Sequence, residues 1–153
     1  MKKLLVCLLL VSSPALAGNS GPDNLRNINL CFGPDSVQIA PVLKTAAPGL
    51  NAAIYEKINT KLRAHRIPFL ACQGTSTELY IQMDSFEAFS GNHVYMIALE
   101  ITAYDILPQV VVTWSAGHLG SSGQRGKKLT TDFTTIVSGL LDQFAADYAT
   151  ANP

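Results

Sequence analysis

The stretch HVYMIALEITAY, His93 to Tyr104, decides how the rest of the chain is arranged. Successive side chains of a strand leave on opposite faces. Tyr95, Ile97, Leu99, Ile101 and Ala103 therefore share one face, and Val94, Met96, Ala98, Glu100, Thr102 and Tyr104 share the other. The first set is apolar and is expected to face a core. The second mixes apolar, acidic and aromatic groups. Because the segment is apolar on both faces for most of its length, it is expected to be a central strand.

Two strands are expected to flank it. ELYIQMD, 78–84, alternates between Leu79, Ile81, Met83 and Tyr80, Gln82, Asp84, and the SGN turn signal at 90–92 joins it to the central strand. DILPQ, 105–109, turns the chain again into VVVTWS, 110–115, where Val110, Val112 and Trp114 form one alternating set with Trp114 as a core anchor.

Two helices complete the pattern. Leu50, Ile54, Ile58 and Leu62 fall on one stripe of a helix that ends at Ile67-Pro68, because the residue before a proline avoids the helical region. Phe133, Ile136, Val137, Leu140, Leu141, Phe144 and Tyr148 mark a second helix from Thr130 to about Ala149, with Thr130 or Thr131 as cap. Residues 18–49 read as an irregular amino-terminal segment with one short strand near Leu30-Cys31-Phe32, its prolines at 34, 41 and 48 breaking other structure. The expectation is a single domain over 30–150, an α+β two-layer sandwich. One small antiparallel or mixed sheet of about four strands carries both helices on one face. That order resembles the small α/β sandwiches common among bacterial envelope accessory proteins. The resemblance is one of topology alone, and no residue role follows from it.

The first residues, MKKLLVCLLLVSSPALA, have the three parts of a secretory signal: Lys2 and Lys3, an apolar run from Leu4 to Val11, and Ala15-Leu16-Ala17 before the cut. The apolar run is too short to span a bilayer, which takes about 20 residues. Residues 1–17 are expected to be removed, leaving a periplasmic or secreted chain without a membrane anchor. That chain keeps 9 of 11 Lys and Arg against 11 Asp and Glu, a net charge of −2 that argues against nucleic acid as a partner. Cys31 and Cys72 also remain, and in an oxidising compartment they are expected to form a disulfide.

Near the carboxyl end, SAGHLGSSGQRGKKLTTDF, 115–133, places glycines at 117, 120, 123 and 126 beside Arg125, Lys127 and Lys128. A phosphate-binding loop requires G-x-x-x-x-G-K-[ST]. Ser121 stands where the first glycine belongs, and Lys128 where the hydroxyl belongs. The segment reads as a flexible connection, with its three bases available to an anionic partner beside a helix start.

Candidate chemistry is sparse. His65 is expected to be a semi-buried structural residue, His93 to be exposed at a sheet end, and His118 to lie in the flexible segment. Ser115, His118 and Asp105 could compose a hydrolytic triad, and His93, His118 and a carboxylate such as Glu100 a zinc site, but no local signature supports either. No cofactor, metal or catalytic residue is assigned. What remains is surface. Tyr80, Met96, Glu100 and Tyr104 on the outer sheet face, with Arg125, Lys127 and Lys128, are the candidate binding residues. From Ile67 to Gln124 the chain has no Lys or Arg, whereas five acids fall there. The function expected is that of an exported, non-catalytic binding or accessory protein that engages a protein or envelope component. A small secreted hydrolase is the alternative.

Overall fold

The computed structural model describes residues 22–72, 77–88, 92–104 and 110–153. Residues 1–17, read as a secretory signal, and 105–109, read as a turn, lie outside these residues. After a short 3-10 turn at Pro22–Leu25 come strand β1 (Leu30–Cys31), strand β2 (Val37–Ile39) and helix α1 (Pro41–Ala46). Helix α2 (Leu50–Ala64) follows, then strands β3 (Thr77–Glu87), β4 (His93–Tyr104) and β5 (Val110–Ser122), and helix α3 (Gly126–Ala151).

β3, β4 and β5 form an antiparallel meander, with Ile81 opposite Leu99 and Leu99 opposite Ala116. β1 and β2 lie end to end along the outer edge of β3, both parallel to it, so the sheet is mixed. The chain between β2 and β3 is a helical crossover, as parallel neighbours require. The fold is thus a small α+β fold with its helices packed against the sheet.

The expected alternation of β4 is what builds the core. Tyr95, Ile97, Leu99 and Ile101 join Leu79, Ile81 and Met83 of β3 as one buried layer. Against it lie Leu50, Ile54, Ile58 and Leu62 of α2, and Leu129, Phe133, Val137, Leu140, Leu141 and Phe144 of α3, all buried. Trp114 is buried as expected; its Nε1–H donates to Asp147 at 2.9 Å, and its ring meets Phe144 edge-on at 5.2 Å. Lys61 Nζ donates to Asp142 at 2.7 Å across the two long helices, and His65 Nε2 lies 3.0 Å from the same carboxylate. These two hydrogen bonds hold the Asp142 carboxyl below the usual range. Among the described residues no helix is long and apolar enough to cross a membrane.

Four expectations fail, each for a physical reason. The segment 33–49 is not irregular throughout. Val37 and Ile39 are buried on β2, and Pro34 and Pro41 each open a short helix, where the missing N–H is no loss. The glycine-rich segment is not a flexible connection either. Ser115 to Ser122 pair with Glu100 to His93 and belong to β5, so only Gly123, Gln124 and Arg125 connect β5 to α3. The glycines there serve close approach and turning. Tyr95 lies across Gly120, where a Cβ would sit 2.6 Å from its Oη, and Gly126 has φ +56° at the start of α3. α3 also begins earlier than expected, and Thr130 and Thr131 do not cap it: their Oγ1 atoms donate back to Gly126 and Lys127 carbonyls. Finally, Thr113 is an extra residue in β5, since Trp114 pairs with Ile101 but Val112 with Thr102. That bulge moves Val112 off the Trp114 face.

The disulfide is as expected. Cys31 and Cys72, 41 residues apart, are bonded. Phe32 N–H donates to the Leu70 carbonyl at 3.0 Å, and Leu70 N–H to the Leu30 carbonyl at 3.1 Å. The bond therefore ties the α2–β3 connection to the short β1. Closing a loop of this length restricts the unfolded chain by about 4 kcal/mol. Reduction, or the double change Cys31→Ala and Cys72→Ala, is expected to lower the free energy of unfolding in guanidinium by about that amount.

Candidate functional site

With the helices on one side, no helix of the described residues lies on the other side of the meander, and its side chains stand in rows across the three strands. From one end the rows are Phe86, Val94, Ser121; then Asp84, Met96, Leu119; then Gln82, Ala98, Gly117; then Tyr80, Glu100, Ser115; then Glu78, Thr102, Val112. The upper rows are apolar and open to solvent: Phe86 is 63% exposed, Met96 47% and Leu119 74%. The middle row carries a methyl group and a bare glycine next to Gln82, so the surface dips there. The lower rows are acidic and hydroxylic, and the face closes at Thr102, which is buried.

Two of the three carboxylates of this face take hydrogen bonds from neighbours. Asp84 accepts from Gln82 Nε2 at 2.6 Å, and Glu78 accepts from Ser36 Oγ at 2.5 Å. Glu100 is half-buried between Tyr80 and Ser115, and burial pushes its carboxyl above the usual range. A recess of about 240 Å³ lined by Gln38, Ile39, Ala40, Tyr80, Gln82 and Asp84 extends the face over β2.

The sequence-derived binding residues thus divide. Tyr80 and Glu100 are directly opposite each other, and Met96 lies two rows away on the same face. Tyr104 is at the far end of β4 by register; its side chain is outside the described part of the structure. Arg125, Lys127 and Lys128 are exposed where α3 begins, in the helix layer, and do not join the sheet face. Phe86 and Leu119 escaped the sequence reading. Leu119 would have been found by continuing the β5 alternation through the glycines, and Phe86 by continuing that of Tyr80, Gln82 and Asp84.

The triad and the zinc site with Glu100, as composed from the sequence, lose their geometry. Ser115 and His118 leave β5 on opposite faces, Ser115 beside Glu100 and His118 beside Ile97, so the two cannot hydrogen-bond as nucleophile and base. Asp105 lies outside the described residues. Glu100 is on the bare face while His93 and His118 are on the helix side, so these three cannot share an ion. His118 is exposed and stacks beside the Tyr95 ring at 6.0 Å. His93 is not exposed as expected: it is buried on the core face, and neither ring nitrogen has a hydrogen-bond partner among the described residues. The turn before it does not leave it outside because the pleat places it on the Tyr95 side. His65 is exposed, not semi-buried, since it follows the last turn of α2 and reaches out to Asp142.

The chain matches no protein-family model, and no curated protein is recognisably similar to it in sequence.

Glu100 gives a pH test of this geometry. A carboxyl raised by burial binds its proton more tightly in the folded than in the unfolded state. Its ionisation therefore opposes folding, a cost absent below the ordinary carboxylate range that grows as pH rises through the raised value. Glu100→Gln is expected to raise Tm at neutral pH and to leave it unchanged near pH 3, below the ordinary glutamate value. An equal shift at both would show that Glu100 is not desolvated.

Proposed function

We propose that this chain is an exported, non-catalytic binding or accessory protein of the bacterial envelope or extracellular space. Its bare sheet face engages a protein partner. The observation that carries the reading is the adjacency of Phe86, Met96 and Leu119 on a face that no helix among the described residues covers. Large apolar side chains exposed singly are ordinary, but grouped on one face they have the composition of an interface core. The sheet beneath is fixed by a core on its other side, so the face needs little reordering on binding. The secretory character of residues 1–17 and the Cys31–Cys72 disulfide support the exported location.

Mature, oxidised protein immobilised on a resin and offered envelope and supernatant extracts tests the reading through its variants. Met96→Ala and Leu119→Ser are expected to weaken retention of a specific partner by about tenfold or more, with unchanged Tm, as for central interface residues. His118→Ala, on the other side of the sheet, is expected to retain it. A partner held equally by the two face variants and lost with His118→Ala would overturn the reading.

A further inference from the structure

We infer that the occupant of the bare sheet face is a cationic amphipathic segment of another protein, its apolar side chains among Phe86, Met96 and Leu119 and a lysine or arginine against Glu100. The inference rests on the docking role proposed above and adds the chemistry of the partner. Its basis is the charge of the face. Asp84 and Glu100, with Glu78 at the closed end, are the charged residues of its rows, and the chain from Ile67 to Gln124 contains no lysine or arginine. Six of the nine bases beyond residue 17 lie on helices of the other layer: Lys44 on α1, Lys57, Lys61 and Arg63 on α2, and Lys127 and Lys128 on α3. An acidic surface with an apolar centre repels anionic lipid and nucleic acid and attracts a basic partner.

The spacing adds a dimension. Met96 and Glu100 are four residues apart on one strand, about 13 Å. A partner helix lying along β4 would cover that distance in about nine residues. To face the sheet together its apolar anchors and the base that meets Glu100 are therefore about seven or eight positions apart, the spacings near that length that share one helix face, with a bulky side chain over the dip at Ala98 and Gly117. Asp84, beside Met96, accepts a second base at the edge of the apolar rows. Glu100 is half-buried and raised by desolvation, so a cation placed beside it favours the ionised form and is favoured by it in turn. The groups facing Glu100 are Tyr80 and Ser115 directly across, with Gln82, Glu78, Thr102, Ala98, Gly117 and Val112 in the adjoining rows, and none is basic.

The test uses two helix-forming peptides of about five turns, one of leucine and lysine and one of leucine and glutamate at the same positions. They are titrated into the mature, oxidised protein with amide resonances and affinity both recorded. The leucine–lysine peptide is expected to shift Met96, Ala98 and Leu119 and to bind at least about tenfold more tightly than its acidic counterpart. Glu100→Gln is expected to weaken it by roughly three- to tenfold. Lowering the pH through the raised range of the Glu100 carboxyl weakens the wild type and Glu100→Gln much less. Asp84→Asn, an exposed change, provides a second loss should Glu100→Gln alter folding. If the acidic peptide shifts the same residues as strongly, the cationic partner is wrong while docking on the face stands. If neither peptide shifts the face, and sedimentation shows a dimer abolished by Leu119→Lys, the occupant is a second copy and the inference falls. If neither shifts it and the protein is monomeric, both the inference and the docking role fail.

Discussion

The alternation of side chains along β4 is the constraint on which the rest of the structure depends. A strand cannot turn one side chain inward without turning the next outward. Tyr95, Ile97, Leu99 and Ile101 are buried under α2 and α3, and this fixes Met96, Ala98 and Glu100 on the other side. A slip of one residue would bury Glu100 and expose Ile97, so the core selects the register and the register composes the bare face. β3 and β5 follow, each contributing a row partner on both sides. The face thus has its composition because of a core that it does not touch.

The two layers then carry opposite chemistry. The helices hold the bases, partly engaged with one another's acids, as in the Lys61 and Asp142 pair. The described strands carry acids and no Lys or Arg. In an isolated domain such a division gains little, since exposed charge pairs are weak. It gains meaning where the acidic side also carries Phe86, Met96 and Leu119, which water solvates poorly. Apolar contact would then supply the affinity and charge the choice of partner.

Much of this was legible in the sequence because it depends on period. The stripe of Leu50, Ile54, Ile58 and Leu62, the two faces of β4 and the pairing of Cys31 with Cys72 all came from spacing and composition. What escaped depends on contacts that spacing does not encode. Glycines at 117 and 120 look like a loop, yet Gly120 is a strand residue whose missing side chain leaves room for the Tyr95 ring. Prolines at 34 and 41 look like breakers, yet they stand at helix starts, the one place where a helix tolerates them. His93 looked exposed because it follows a turn, but its place in the alternation with Tyr95 buries it. The bulge at Thr113 reversed the face of Val112 with no mark in the sequence. The candidate site was half legible for the same reason: Tyr80, Met96 and Glu100 follow the β3 and β4 alternation, whereas Leu119 was hidden by the glycines around it.

Site-specific photocrosslinking in the native envelope tests the central claim most directly. A photoreactive residue replaces Met96 or Leu119 on the bare face, or Glu56 on the exposed side of α2. If the sheet face is the docking surface, illumination yields the same adduct of discrete mass from positions 96 and 119 and none from position 56. Adducts from position 56 with none from 96 or 119 would place the partner on the helix layer and contradict the account.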